Sequence, residues 1–296
     1  MYILNRRRFI ELAAGSAAAT YFATQSTAAL GSGHQSADVF TADEFGALVD
    51  SVVVVGEEKM LLIDAQLTVP NAQRLVQTLA ATGKDLETVF ITHAHPDHFL
   101  GLPIILEAFP GANVVAHATV QPAIAAAAAP TRDAIAGLFP EGAIADGVVV
   151  PELLDGDSLT LEGERFDIIG PLHGDTDLIT AVHMPQLDTV VANDLVYTDT
   201  HLWTAENTTP ERIEMWRQGL AALEDLGAST VIPGHRTEDS ANDLSAIAHT
   251  RSYLDQWEAA LADTTTAEEL KEAMVEQVGN LPGEFFLDRG VAAARG

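Results

Sequence analysis

Residues 92–101 read THAHPDHFLG, so three histidines and an aspartate fall within the six positions from His93 to His98. Imidazole and carboxylate groups bind transition metals when rigid positions aim them at one point. In an extended loop, alternation sends His93, His95 and Asp97 to one side, and a turn at Pro96-Asp97 brings His98 round. The chain has no cysteine, so any metal site must be built from nitrogen and oxygen donors, and no disulfide can form. The preceding run LETVFIT, residues 86–92, has the length and apolarity of a buried strand, which delivers the histidines at its C-terminal end.

Three further donors stand where predicted strands end: His173 in Pro171-Leu172-His173-Gly174-Asp175-Thr176, Asp194 after Val190-Val191-Ala192-Asn193, and His235 in Ile232-Pro233-Gly234-His235. Together with His93-Ala94-His95-Pro96-Asp97-His98 they resemble, in order, the ligand motifs of the metallo-β-lactamase superfamily, over about residues 48–240. The resemblance implies His93, His95 and His173 on a first metal, Asp97, His98 and His235 on a second, and Asp194 as the bridge. It implies two zinc ions per chain, with iron or manganese also compatible with such donors. A bridging hydroxide would open an acyl substrate while Asp97 both ligates and orients that nucleophile. Three features depart from or narrow the pattern. The usual glycine immediately before the third histidine is missing in Gly170-Pro171-Leu172-His173. Asp194 in place of cysteine points to the lactonase, thioesterase and phosphodiesterase branches, and His at 95 rather than Glu points away from the oxygen-reducing di-iron relatives.

The elements that must hold these residues can be read from pattern. Residues 51–64 read as strand, turn, strand, 70–82 as a helix, Phe99–Phe109 as a helix and 113–116 as a strand. The alanine-rich segment 121–150, punctuated by Pro122, Pro130 and Pro140, reads as short helices capping a site. Hairpins follow over 158–169 and 178–192. Thr209-Pro210 opens a helix to about Leu226. A strand at 229–232 and helices over 240–262 and 266–277 complete the domain. Early and late strands with helices between them predict an αββα four-layer α/β sandwich. Its bounds are 48–262, preceded by a flexible lead-in at 30–47 and followed by a C-terminal helix and tail, 263–296, on the same domain.

Residues 1–29 read as a signal peptide. Arg6-Arg7-Arg8-Phe9-Ile10, a mild apolar stretch and Ser26-Thr27-Ala28-Ala29 resemble a twin-arginine (Tat) export signal cleaved near Ala28 or Ala29. The expected location is therefore periplasmic or extracellular, with the Tat machinery as a transient partner. A net charge of −28, from 43 acidic against 15 basic residues, disfavours nucleic acid and anionic membranes as partners and favours a small, neutral substrate. The same acidity suits a high-salt habitat and equally an ordinary acidic exported protein.

Beyond the ligands, His201 is a candidate proton donor to the leaving group, Trp203 a candidate apolar wall and Arg236 a candidate contact for a substrate carboxylate. Asp64 and Asp175 are candidates for hydrogen-bonding ligand histidines, Asp175 the better placed because it lies two residues from His173. The expectation is an exported dinuclear zinc hydrolase acting on a lactone or ester first and a β-lactam second. Its rivals are a mononuclear iron persulfide-type oxygenase and a non-catalytic metal-binding protein.

Overall fold

A strand in which successive residues are all apolar must bury both faces, and β2 (Asp50–Val55) and β3 (Lys59–Ile63) do so. Val52, Val54, Leu61 and Ile63 face one layer, and Val53, Met60 and Leu62 face another. The computed structural model describes residues 35–296, and the signal-peptide reading lies outside them. One sheet has the order β1 (Ser36–Thr41), β2, β3, β4 (Asp85–Ile91), β5 (Asn113–Ala116), β6 (Glu152–Leu153). The other runs β11 (Thr230–His235), β10 (Thr189–Tyr197), β9 (Ile179–Met184), β8 (Glu164–Leu172), β7 (Ser158–Leu161).

The sheets pack face to face through Val52, Leu61, Phe90, Phe166, Val182 and Ile232. On the outside of the first sheet, α1 (Val69–Ala81), α3 (Leu102–Ala108) and α4 (Gln121–Ala136) bury Leu75, Leu79, Ile105 and Ile124. Outside the second, α5 (Pro210–Glu224), α6 (Ser245–Asp263), α7 (Ala267–Val278) and α8 (Glu284–Arg295) bury Trp216, Trp257, Leu270 and Leu287. This is the αββα sandwich expected from the order of elements. Among the described residues no helix is long and apolar enough to cross a membrane.

Three local expectations need correction. Residues 36–41, expected as part of a flexible lead-in, form the edge strand β1, in unbroken antiparallel register from Ser36 against Val55 to Thr41 against Asp50. Val39 and Phe40 anchor it by packing on the inner and outer cores. Within the alanine-rich segment Gln121–Ala136 form one helix, α4, with Pro130 inside it, and residues 137–150 are not helical; the run Ala125–Ala129 has the highest helix propensity of any residue type. The helix expected over Phe99–Phe109 is divided into α2 (Pro96–Phe99) and α3. Between them lies Gly101, where a Cβ would stand 2.0 Å from the Ala65 carbonyl oxygen.

The helices also press on the loops that carry chemistry. At Gly219 of α5 a Cβ would meet the His173 carbonyl oxygen at 2.4 Å. Gly219→Ala is therefore expected to destabilise the fold by about 1–3 kcal/mol through overpacking. Urea unfolding should show a lower midpoint at unchanged slope, and a parental midpoint would contradict so close an approach.

Candidate metal centre

Strand β4 ends at Ile91, and its continuation carries His93 and His95 inward. Pro96 then opens α2 and holds His95 extended (φ −76°, ψ 143°), as the residue before a proline must be. The first turn of α2 carries Asp97 and His98. From the other sheet, β10 slips register around Asn193, whose φ is 53°, and such a bulge re-aims the neighbouring side chain. The Asn193 side-chain oxygen accepts from the Asp194 amide at 2.9 Å. Gly234 leaves the space that Asp194 enters, since a Cβ there would lie 1.9 Å from Asp194 Oδ1. His235 ends β11, and Asp175 comes from the loop between β8 and β9.

These residues meet around one atom. Asp194 Oδ2 lies 3.3 Å from His93 Nε2, 3.2 Å from His98 Nε2, 3.2 Å from His235 Nε2 and 3.9 Å from His95 Nδ1. Asp175 Oδ2 lies 3.2 Å from His95 Nδ1, and Asp97 Oδ2 lies 3.5 Å from His235 Nε2 and 3.8 Å from His98 Nε2. The donors form two groups that could each hold an ion: His93, His95, Asp175 and Asp194, and Asp97, His98 and His235.

The far side of each imidazole fixes what its near side can do. His235 Nδ1 donates to the Ala47 carbonyl at 2.8 Å and His98 Nδ1 to Asp64 at 2.9 Å, while His95 Nε2 donates to Glu206 Oε1 at 3.0 Å. Thr92 Oγ1 gives its hydrogen to Asp64 at 2.8 Å and is left to accept from His93 Nδ1 at 3.2 Å. A neutral imidazole that donates from one nitrogen presents a bare lone pair at the other. Four such lone pairs aimed at carboxylate oxygens repel unless a cation stands between them. His93 Nε2, His98 Nε2, Asp175 Oδ1 and Asp194 Oδ1 are buried and lack any hydrogen-bond partner. Donor types, backing partners and orphaned atoms all fit bound metal.

Without a cation, protons must balance the charge. Burial opposes protonation of His98, but Asp194, Asp64 and Asp97 outweigh it and raise its pKa well above the ordinary value. Burial likewise works against ionised Asp194, yet His98, His235 and His93 hold it well below the usual carboxylate range. For Asp175 burial dominates and pushes its pKa up, against the pull of His95.

The structure brings His93, His95, Asp97, His98, Asp194 and His235 together as expected, and places the other candidates as follows. His173 is not in the cluster: its Nδ1 faces Asp177 at 2.7 Å and its Nε2 faces Asn207 Oδ1 at 2.8 Å. Asp175, expected to back a ligand, occupies the donor position instead. His201 packs on Tyr253, with Nδ1 3.0 Å from the phenol oxygen, away from the pocket. Burial lowers its pKa to about 4, which corrects the proton-donor assignment. Arg236 is buried and pairs with Asp50 at 2.9 Å, with further bonds to Thr41, Ser240 and Asn242, so it cannot reach a substrate. Trp203 does line the pocket, its ring 5.9 Å from that of His95.

That pocket, about 120 Å³ and open to solvent, has Asp97, Asp175 and Asp194 at its floor. Its walls are Leu67, Leu138, Phe139, Trp203, Phe285 and Phe286, with Arg289 also lining it. Tyr197 stacks on His235 at 4.7 Å and donates its hydroxyl to Asp175 Oδ2 at 2.9 Å. Neither the wall from α8 nor Glu206 carries a local signal in the sequence. If Asp175 and not His173 is the ligand, His173→Ala will retain two ions per chain after desalting, by elemental analysis, while Asp194→Ala will lose both. Loss of metal from His173→Ala would return that residue to the site.

The metallo-beta-lactamase superfamily model matches residues 46–235. Among solved structures, a metallo-beta-lactamase family protein from Thermus thermophilus aligns with a TM-score of 0.57 at 22% identity, over 83% of this chain and 86% of that one. A metallo-beta-lactamase from Pontibacter korlensis aligns with a TM-score of 0.53 at 19% identity, over 77% and 97%. At such identities the likeness speaks for the fold alone. No curated protein matches the chain. The family match spans more than half of the chain and ends on His235, the last donor of the cluster, and the chain belongs to the metallo-β-lactamase superfamily.

Proposed function

We propose that this chain is an exported dinuclear metal hydrolase that opens a small acyl substrate, a lactone or ester before a β-lactam. The observation that carries the reading is the convergence of four imidazole lone pairs and two further carboxylates around Asp194 at the floor of an apolar pocket. His93, His95 and Asp175 would hold one ion, Asp97, His98 and His235 the other, and Asp194 would bridge, a nitrogen and oxygen set that suits zinc. When bound, such ions supply Lewis acidity and lower the pKa of water from 15.7 to about 7.

The chain's own residues supply the rest. Asp97 is the most exposed carboxylate of the cluster, at 9% against 0% for Asp175 and Asp194. It faces the pocket, so it can orient an attacking water and accept its proton. Addition of that water to the carbonyl carbon and cleavage of the acyl C–O bond give an acid and an alcohol. The walls from Trp203, Phe139 and Phe285 exclude bulk water and favour a substrate with an apolar body. The second donor group favours a dinuclear centre over a mononuclear iron oxygenase, and a pocket opening onto the cluster favours an enzyme over a passive metal store. Export rests on Arg6-Arg7-Arg8 and the small residues to Ala29, and the strong negative charge favours a neutral small molecule over nucleic acid or membrane.

The test is proton release at constant pH on lactones, esters, thioesters and β-lactams, using chelated and zinc-restored protein. Turnover should vanish on chelation and return with zinc. Asp97→Asn should lower kcat by about 100-fold or more, and hydrolysis at the parental rate would remove Asp97 from the mechanism.

A further inference from the structure

Taken donor by donor, the two halves of the cluster are alike. Each has two imidazole nitrogens and one carboxylate of its own, His93, His95 and Asp175 against His98, His235 and Asp97, and both adjoin Asp194. We infer that Asp175 makes the first site an oxygen-rich twin of the second, and so narrows the preference of the centre for zinc over a harder ion such as Mn²⁺. The inference rests on the dinuclear reading above and adds which residue sets the metal selectivity.

Asp175 has the placement of a ligand rather than of a supporting residue. It is fully buried, and its Oδ1 has no partner. A supporting carboxylate accepts an N–H from the far side of a ligand histidine, but Glu206 already accepts that bond from His95 Nε2. Asp175 Oδ2 instead faces His95 Nδ1, the inward nitrogen.

The loop is also locked in this arrangement. Asn207 donates its amide to the Gly174 and Asp175 carbonyls at 3.1 and 2.8 Å, which turns its Oδ1 onto His173 Nε2. His173 is thereby held outside while Asp175 is held inside. Carboxylates suit Mn²⁺ and Mg²⁺, whereas imidazoles suit zinc. Zinc still binds more tightly than manganese to either donor set, so the quantity that Asp175 controls is the ratio of the two affinities.

The experiment strips the protein with a chelator and titrates it with Zn²⁺ and with Mn²⁺ against a chromophoric competitor. Elemental analysis gives the stoichiometry and Mn²⁺ paramagnetic resonance gives the environment. The variants are Asp175→His and Asp175→Asn, with circular dichroism and melting as fold controls. Asp175→His should widen the Zn/Mn affinity ratio of the first site by about tenfold or more. Asp175→Asn, which keeps the shape and removes the charge, should weaken Mn²⁺ more than Zn²⁺ and serves if the histidine variant misfolds. A wild-type protein that binds two ions with a ratio indifferent to both variants would overturn this inference and leave the dinuclear reading standing. A wild-type protein that binds neither ion would overturn both.

Discussion

The structure turns on Asp194, whose Oδ2 has His93, His98 and His235 within 3.3 Å at the meeting point of the two sheets. Burying charged groups costs on the order of several kcal/mol per ion even after relaxation. Three carboxylates are gathered here, and the fold offsets that cost by satisfying the far side of every histidine. Asp64 serves His98 directly and His93 through Thr92, a backbone carbonyl serves His235, and Glu206 serves His95. The lone pairs left unsatisfied point to the centre, and they are the physical case for metal.

The sandwich explains why the donors can meet. Strand β4 ends above the seam on one sheet, β10 and β11 end there on the other, and the Thr180 hydroxyl and amide both donate to the Thr92 carbonyl across it. Close approach requires small residues at two points: Gly234 makes room for Asp194, and Gly101 lets the start of α3 lie against Ala65. The C-terminal helix α8 then roofs the cluster, with Phe286 5.0 Å from His235 and Phe285 6.1 Å from Trp203. A polar floor is thus enclosed by apolar walls, an arrangement that strengthens electrostatics inside it.

Local signals in the sequence carried the frame of this site. His93, His95, Asp97 and His98 share one turn and a strand end, and Gly234-His235 needs only its own glycine, so both were legible without a fold. His173 and Asp175 were not separable in that way, because they lie two residues apart on one loop. Which of them turns inward depends on Asn207, 34 residues from His173, and on the pressure of Gly219 from α5. His201 and Arg236 failed for the complementary reason: a neighbour in sequence of a site residue points elsewhere, one to Tyr253 and the other to Asp50. The pocket wall from Phe285 and Phe286, read as tail, and Ala47, read as lead-in, reach the site only through tertiary packing.

The most direct test of the central claim is a crystal structure of the zinc-loaded protein with anomalous diffraction recorded at the zinc edge. Two anomalous peaks astride Asp194, the first in contact with His93, His95 and Asp175 and the second with Asp97, His98 and His235, are the predicted result. An absence of peaks, a single peak, or His173 in place of Asp175 at the first position would contradict it.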